Sequence, residues 1–156
     1  MDYQSILFFL MQFIFIFYIG YIWLKYGALK SISESYYALP RKLRPLFTLA
    51  LWGFAIPAII IGDCGLMFLA GSGIAFVGAA AQMHEQFVRK VHVTAAIIGI
   101  TAGHLAIIFN YHMWWITVAF VLASIPFLIF DKKTRIWWVE ILAFLSISIA
   151  LAFQIF

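Results

Sequence analysis

The residues of this chain that could do chemistry fall mostly into a few short stretches. Ser31-Ile32-Ser33-Glu34-Ser35 sets an acid among hydroxyls, and Gln82, His84 and Glu85 close a glycine-rich apolar run. His92 opens the next apolar run, and Glu140 enters the last one about a turn beyond Trp137. Together, Ser33, Glu34, Ser35, Gln82, His84, Glu85, His92 and Glu140 form the candidate binding set. Ionisable groups are expensive in hydrocarbon, so their positions are the best functional clues.

Two chemistries compete for this set. One is a hydrogen-bonded cap that satisfies helix ends and a re-entering loop; Ser31 to Glu34 matches the Ser-x-x-Glu capping box. The other is a site at which the acid, the hydroxyls, Gln82 and His92 bind a lipid headgroup or act on it. Gln82 and His92 each continue the small-residue face of their own run, so they are expected to face each other. Glu140 is expected to snorkel towards Arg135 or Lys132.

The remaining ionisable groups point away from metals and cofactors. His104 lies three turns beyond His92 on the opposite helix face, so the two cannot share an ion. It reads as a hydrogen-bonded packing residue. A bis-histidine haem needs a second histidine at the same depth, whereas His84 and His92 fall at one membrane surface and His112 at the other. Cys64 is the lone cysteine, so no intrachain disulfide forms. No phosphate-binding glycine loop, nucleophile elbow or CxxC pair is present. No metal and no cofactor are expected.

The elements that position these residues follow from composition. Of 156 residues 66% are hydrophobic and only 10% charged, against about a quarter charged in ordinary globular chains. Mean hydropathy is +1.06. Soluble monomers, disordered chains and free nucleic-acid binders are therefore excluded together. A membrane helix needs about 20 apolar residues, and six stretches qualify: 5–24, 45–62, 64–82, 92–109, 113–130 and 136–156. The second and third are short and joined by the turn Gly62-Asp63-Cys64. The runs lack the alternation of barrel strands, so the expected fold is an all-α, polytopic bundle of six transmembrane helices in a single domain. The first span follows no basic region and precedes no small-residue cleavage site, and so reads as a retained helix.

All ten Lys and Arg residues occupy alternate loops: Lys25, Lys30, Arg41, Lys42 and Arg44 after the first span; Arg89 and Lys90 after the third; Lys132, Lys133 and Arg135 after the fifth. The positive-inside rule makes those loops cytoplasmic and puts both termini outside, in a cell or inner membrane. The net charge of +4 is thus an asymmetry across a bilayer, suited to anionic headgroups, and needs no nucleic acid. Trp23, Tyr26, Tyr36, Tyr37, Trp137 and Trp138 are expected at the inner interface, with Tyr111, Trp114 and Trp115 at the outer one.

Small residues predict where helices touch. Gly71, Ala75, Gly78 and Ala79 line one face of the third span, and Ala95, Gly99, Ala102, Gly103 and Ala106 one face of the fourth. These faces are expected to pack together at the bundle centre. Phe8, Phe9, Phe13, Phe15 and Phe17 suit a peripheral first span. Pro57 and Pro126 are expected to bend their helices or free a carbonyl.

In order, Ser31-Ile32-Ser33-Glu34-Ser35, Gly73-Ile74-Ala75-Phe76-Val77-Gly78 through Gln82, and Val91-His92-Val93-Thr94-Ala95-Ala96 resemble a six-span family. It contains the damage-regulated autophagy modulators, the eukaryotic GPI-anchor lipid-remodelling factors and related prokaryotic membrane proteins. The resemblance implies six helices and a role in lipid or membrane organisation. Asp63-Cys64-Gly65-Leu66 is weakly similar to a motif of the progestin and adipoQ receptor and alkaline ceramidase superfamily. The His-x-x-x-His pair that supplies zinc ligands there is missing here. The resulting expectation is a non-enzymatic membrane protein that binds lipid or a membrane partner at a basic, polar cytoplasmic mouth. A lipid-modifying hydrolase and an oligomeric channel or transporter subunit are the alternatives, with homo-oligomers or another membrane protein as further partners.

Overall fold

The computed structural model describes residues 2–80 and 86–156, with the backbone alone at 80 and 86–89. Among the described residues the chain is all-helical, in the order α1 (Tyr3–Tyr26), α2 (Ser35–Ala38), α3 (Pro45–Gly62), α4 (Gly65–Ala80), α5 (Gln86–Phe109), α6 (Trp114–Phe130) and α7 (Arg135–Ile155). Four segments, Tyr3–Tyr26, Arg41–Gly62, Lys90–Phe109 and Arg135–Ile155, are long and apolar enough to cross a membrane. This is the architecture of a membrane protein. Helices α4 and α6 are equally apolar; α6 has 17 residues, and 16 residues of α4 are described.

Helix limits follow from capping chemistry. The Asp2 carboxylate accepts the Ser5 N–H at 2.8 Å and starts α1. Gly27, at φ 74°, ends it in a conformation that suits glycine. Helix α3 starts with Pro45 in its first turn and ends at Asp63, which is left-handed at φ 39°; Asp is among the few residues that tolerate this. Helix α5 already includes Gln86, the first described residue after position 80, so Lys90 lies within it. Helices α3 and α6 run on past Pro57 and Pro126.

The chain order of neighbours is α1 against α3, α3 against α4 and α4 against α5, with α6 laid against α7. Helix α7 also meets α1, α3 and α5, which explains why Trp137, Ile147, Ala150 and Leu151 along it are buried. The α4–α5 seam is as close as the small residues predicted, but it uses a different face of α4. A Cβ on Gly73 would lie 2.8 Å from both the Ala95 carbonyl oxygen and Gly99 Cα. Gly71 and Gly78 pack instead on α3, against Ala55, Leu51 and Trp52. There Thr48 Oγ1 donates to the Gly78 carbonyl at 3.0 Å and Trp52 Nε1 to the Ala75 carbonyl at 2.9 Å. Two donors on α3 thus claim the face that sequence periodicity assigned to α5.

Aromatic placement also departs from the expected belt. Phe13 and Phe17 are each 69% exposed and face outward, where lipid would meet them. Phe15 is buried, its ring centroid 4.4 Å from that of Phe144 and 5.2 Å from that of Phe54. Trp137 is wholly buried and Tyr36 nearly so. Neither is an interface anchor: the loop after α1 folds back onto the start of α7, where the Lys30 carbonyl accepts the Trp137 N–H, and Tyr36 within that segment packs inward on Phe47.

Candidate functional site

The segment between α1 and α2 builds one end of the bundle. Ser31 Oγ accepts the Glu34 N–H at 3.2 Å, half of the capping box, and starts a single 3₁₀ turn, Ile32–Glu34, that leads into α2. Buried Ser35 donates its hydroxyl to the Ile32 carbonyl at 2.5 Å. Its one proton is then spent, so Tyr18 on α1 donates to Ser35 Oγ at 2.6 Å. The buried Ile32 gives its N–H to Glu140 Oε2 at 2.6 Å. Lys30 supplies its carbonyl to the Trp137 N–H at 3.2 Å, satisfying a first-turn donor of α7. Ser33 Oγ lies 2.8 Å from His92 Nε2 on α5. The segment is thereby tied to α1, α5 and α7.

Of the candidate set, Ser33 meets His92 and Glu140 meets the same 3₁₀ turn, while Ser35 turns inward to Tyr18. Glu34 contributes its backbone N–H. Gln82, His84 and Glu85 lie outside the described residues, and His92 finds Ser33 in place of the expected Gln82. Glu140 is also corrected: it accepts a backbone N–H and does not reach towards Arg135 or Lys132, because a buried N–H so near offers a better partner than a solvated cation. A cavity of about 30 Å³ remains, lined by Ile32, Ser33, Leu51, Val77, Glu140 and Phe144, among others. That is room for a water or two. His92 Nδ1 and Trp137 Nε1 are buried without a well-formed hydrogen bond, the Val77 carbonyl lying beside the His92 ring.

Charge surrounds this end without entering it. Lys30, Arg41, Lys42, Lys90, Lys132, Lys133 and Arg135 are exposed there. Arg44 lies 5.1 Å over the Tyr36 ring and donates to the Leu39 carbonyl at 3.4 Å. Asp131 is occupied by its own turn, accepting from the Thr134 hydroxyl and from the Thr134 and Lys133 N–H groups. The Thr134 bonds hold its carboxyl below the ordinary value.

His104 is the packing histidine that its isolation suggested. Its Nδ1 is 3.2 Å from Thr117 Oγ1 on α6 and its Nε2 3.4 Å from Ser146 Oγ on α7. Ser146 donates its proton to the Ala143 carbonyl at 2.8 Å and so accepts from His104 Nε2–H. Nδ1 then accepts from Thr117. The ring stacks on Phe120 at 4.2 Å. Both nitrogens are used, and neither is offered to a metal.

The opposite end holds the larger cavity, and sequence reading passed over it. Gln4, Ile61, Gly62, Asp63, Cys64, Asn110, Tyr111, Gln154 and Ile155 line a half-open cavity of about 350 Å³. Tyr111 donates its hydroxyl to the Gly62 carbonyl at 2.8 Å, closing the C-terminus of α3. Burial, with Cys64 and Asp63 close by, pushes its ionisation up. Cys64 Sγ is 3.9 Å from the same hydroxyl and accepts the Met67 N–H at 3.4 Å. Only Asp63 and Cys64 were legible as a pair. The amides come from separate helix ends, each unremarked in the sequence, and only the fold brings them together. No protein-family model matches the chain, and comparison with curated proteins and with solved structures finds no match.

Proposed function

We propose that the chain spans a cell membrane six times, with its basic end in the cytosol and both termini outside, and holds anionic lipid headgroups at that end without transforming them. Helices α4 and α6 count as spans in this reading, although the 17 residues of α6 reach only about 26 Å. Local bilayer thinning accommodates the shortfall at modest cost. The observation that carries the proposal is the division of labour at the basic end. Ser33, Ser35, Glu140 and Nε2 of His92 are spent on internal bonds, whereas the surrounding lysines and arginines are exposed. Among the described residues, anionic phosphates find cations there and no open catalytic pocket. Each such cation contributes roughly 1 kcal/mol near a charged surface.

A hydrolase is the second reading, favoured by the 2.8 Å approach of Ser33 Oγ to His92 Nε2, a nucleophile-to-base distance. The adjoining cavity of about 30 Å³ is too small for a lipid ester. Both readings meet in one experiment. The protein is purified from nanodiscs of equal phosphatidylglycerol and phosphatidylcholine, and the lipid it retains is weighed by native mass spectrometry. Phosphatidylglycerol is expected to be retained severalfold over phosphatidylcholine. Replacing Arg41, Lys42, Lys132 and Lys133 together by Gln is expected to bring the two to parity. Parity in the unaltered protein overturns the proposal; lysolipid that accumulates and disappears with Ser33→Ala replaces it by the hydrolase.

A further inference from the structure

The cavity at the end opposite the basic rim has the size and polarity of a ligand site. Its volume of about 350 Å³ falls within the range of about 300–1,000 Å³ typical of small-molecule pockets. Its walls are the ends of helices. Gln4 stands at the start of α1, Asp63 and Cys64 between α3 and α4, Asn110 just past α5, and Gln154 in the last turn of α7.

One carboxylate sets the sign of this bowl. Helices α3, α5 and α7 end here, at Gly62, Phe109 and Ile155, and α1, α4 and α6 begin here, so the partial charges of C-termini and N-termini largely offset one another. Asp63 adds a full negative charge, exposed at the rim and held in the left-handed conformation at φ 39°. Every Lys and Arg belongs to the other set of loops. Gln4, Asn110 and Gln154 contribute amide carbonyls, which accept hydrogen bonds. Tyr111 is already committed to the Gly62 carbonyl, so the acceptors left over are the three amide carbonyls, each beside its own NH2 donor, around a carboxylate.

We propose that this bowl binds a primary ammonium group, which brings a positive charge for Asp63 and three N–H donors for the surrounding amides. The ammonium belongs either to a soluble amine or to an ethanolamine headgroup of the adjacent leaflet. Quaternary ammonium ions carry the charge without the donors and fit less well.

Cys64, half-buried in the wall of the bowl, reports occupancy. The protein in phosphatidylcholine nanodiscs, which leave both ends accessible, is treated with a water-soluble maleimide. Cys64 alkylation is followed by mass spectrometry with increasing putrescine at constant ionic strength. Putrescine is expected to slow alkylation severalfold and saturably, while choline and butanediol leave it unchanged. Asp63→Asn, whose amide tolerates the same backbone conformation, is expected to abolish protection with its melting temperature unchanged; Gln154→Ala serves if that variant fails to fold. Slow alkylation in phosphatidylethanolamine discs without putrescine assigns the ammonium to lipid, and protection by putrescine alone assigns it to a soluble amine. The proposal is overturned if neither slows alkylation, if choline protects equally, or if protection survives in the variants.

Discussion

The two ends of the bundle solve opposite problems. At the basic end a loop of scarce polar residues is drawn in by bonds to α1, α5 and α7, and the space left is about 30 Å³. At the other end short turns leave the helix termini apart, and about 350 Å³ stays open among amides and one carboxylate. The richer collection of ionisable residues thus marks the tighter packing, and the poorer one the larger opening. A cluster of polar residues in a membrane protein leaves room for a ligand only where its side chains do not close on one another.

That contrast is most severely tested by the seam both ends share. In Gly73→Leu the new side chain meets the Ala95 carbonyl and Gly99, and overpacking of this kind is expected to cost about 3 kcal/mol or more. Detergent melting is expected to fall sharply, and Cys64 alkylation and lipid retention to change together. If only one end responds, the helices are not one rigid frame. Glu140→Ala removes the acceptor of the buried Ile32 N–H. An unsatisfied buried donor costs about 1–3 kcal/mol, so melting is expected to drop while Cys64 reactivity holds; Glu140→Gln, which keeps a carbonyl acceptor, is expected to recover much of the loss. A change in Cys64 reactivity in Glu140→Ala would erase the distinction between the ends. Tyr111→Phe is expected to have the smallest effect on melting, about 1 kcal/mol for a lost hydrogen bond to the Gly62 carbonyl. Because its hydroxyl sits by Cys64, the variant is expected to alkylate faster without altering lipid retention.

Much of the frame was legible beforehand. Runs of apolar residues place helices within a few positions of where they stand, since bilayer thickness leaves little choice. His104 was readable because no second histidine shares its depth. Which face of α4 meets which neighbour was not, because Gly71, Gly73 and Gly78 are all small and only the donors Thr48 and Trp52 on α3 decide between them. Trp137 was misplaced for a related reason: the segment that folds onto the start of its helix comes from the far end of the chain. The wider cavity escaped notice because Gln4, Asn110 and Gln154 carry no pattern until three helix ends meet.

The bond between Ile32 and Glu140 joins residues 108 positions apart, and Lys30 closes the first turn of α7 from almost as far. During synthesis, then, the first basic loop emerges long before the helix that secures it exists. The Ile32 N–H is without its Glu140 partner until that last helix is made. Completion of the final helix is therefore the event that adds the last of the first loop's ties, and a nascent chain arrested before α7 would hold that end through α1 and α5 alone.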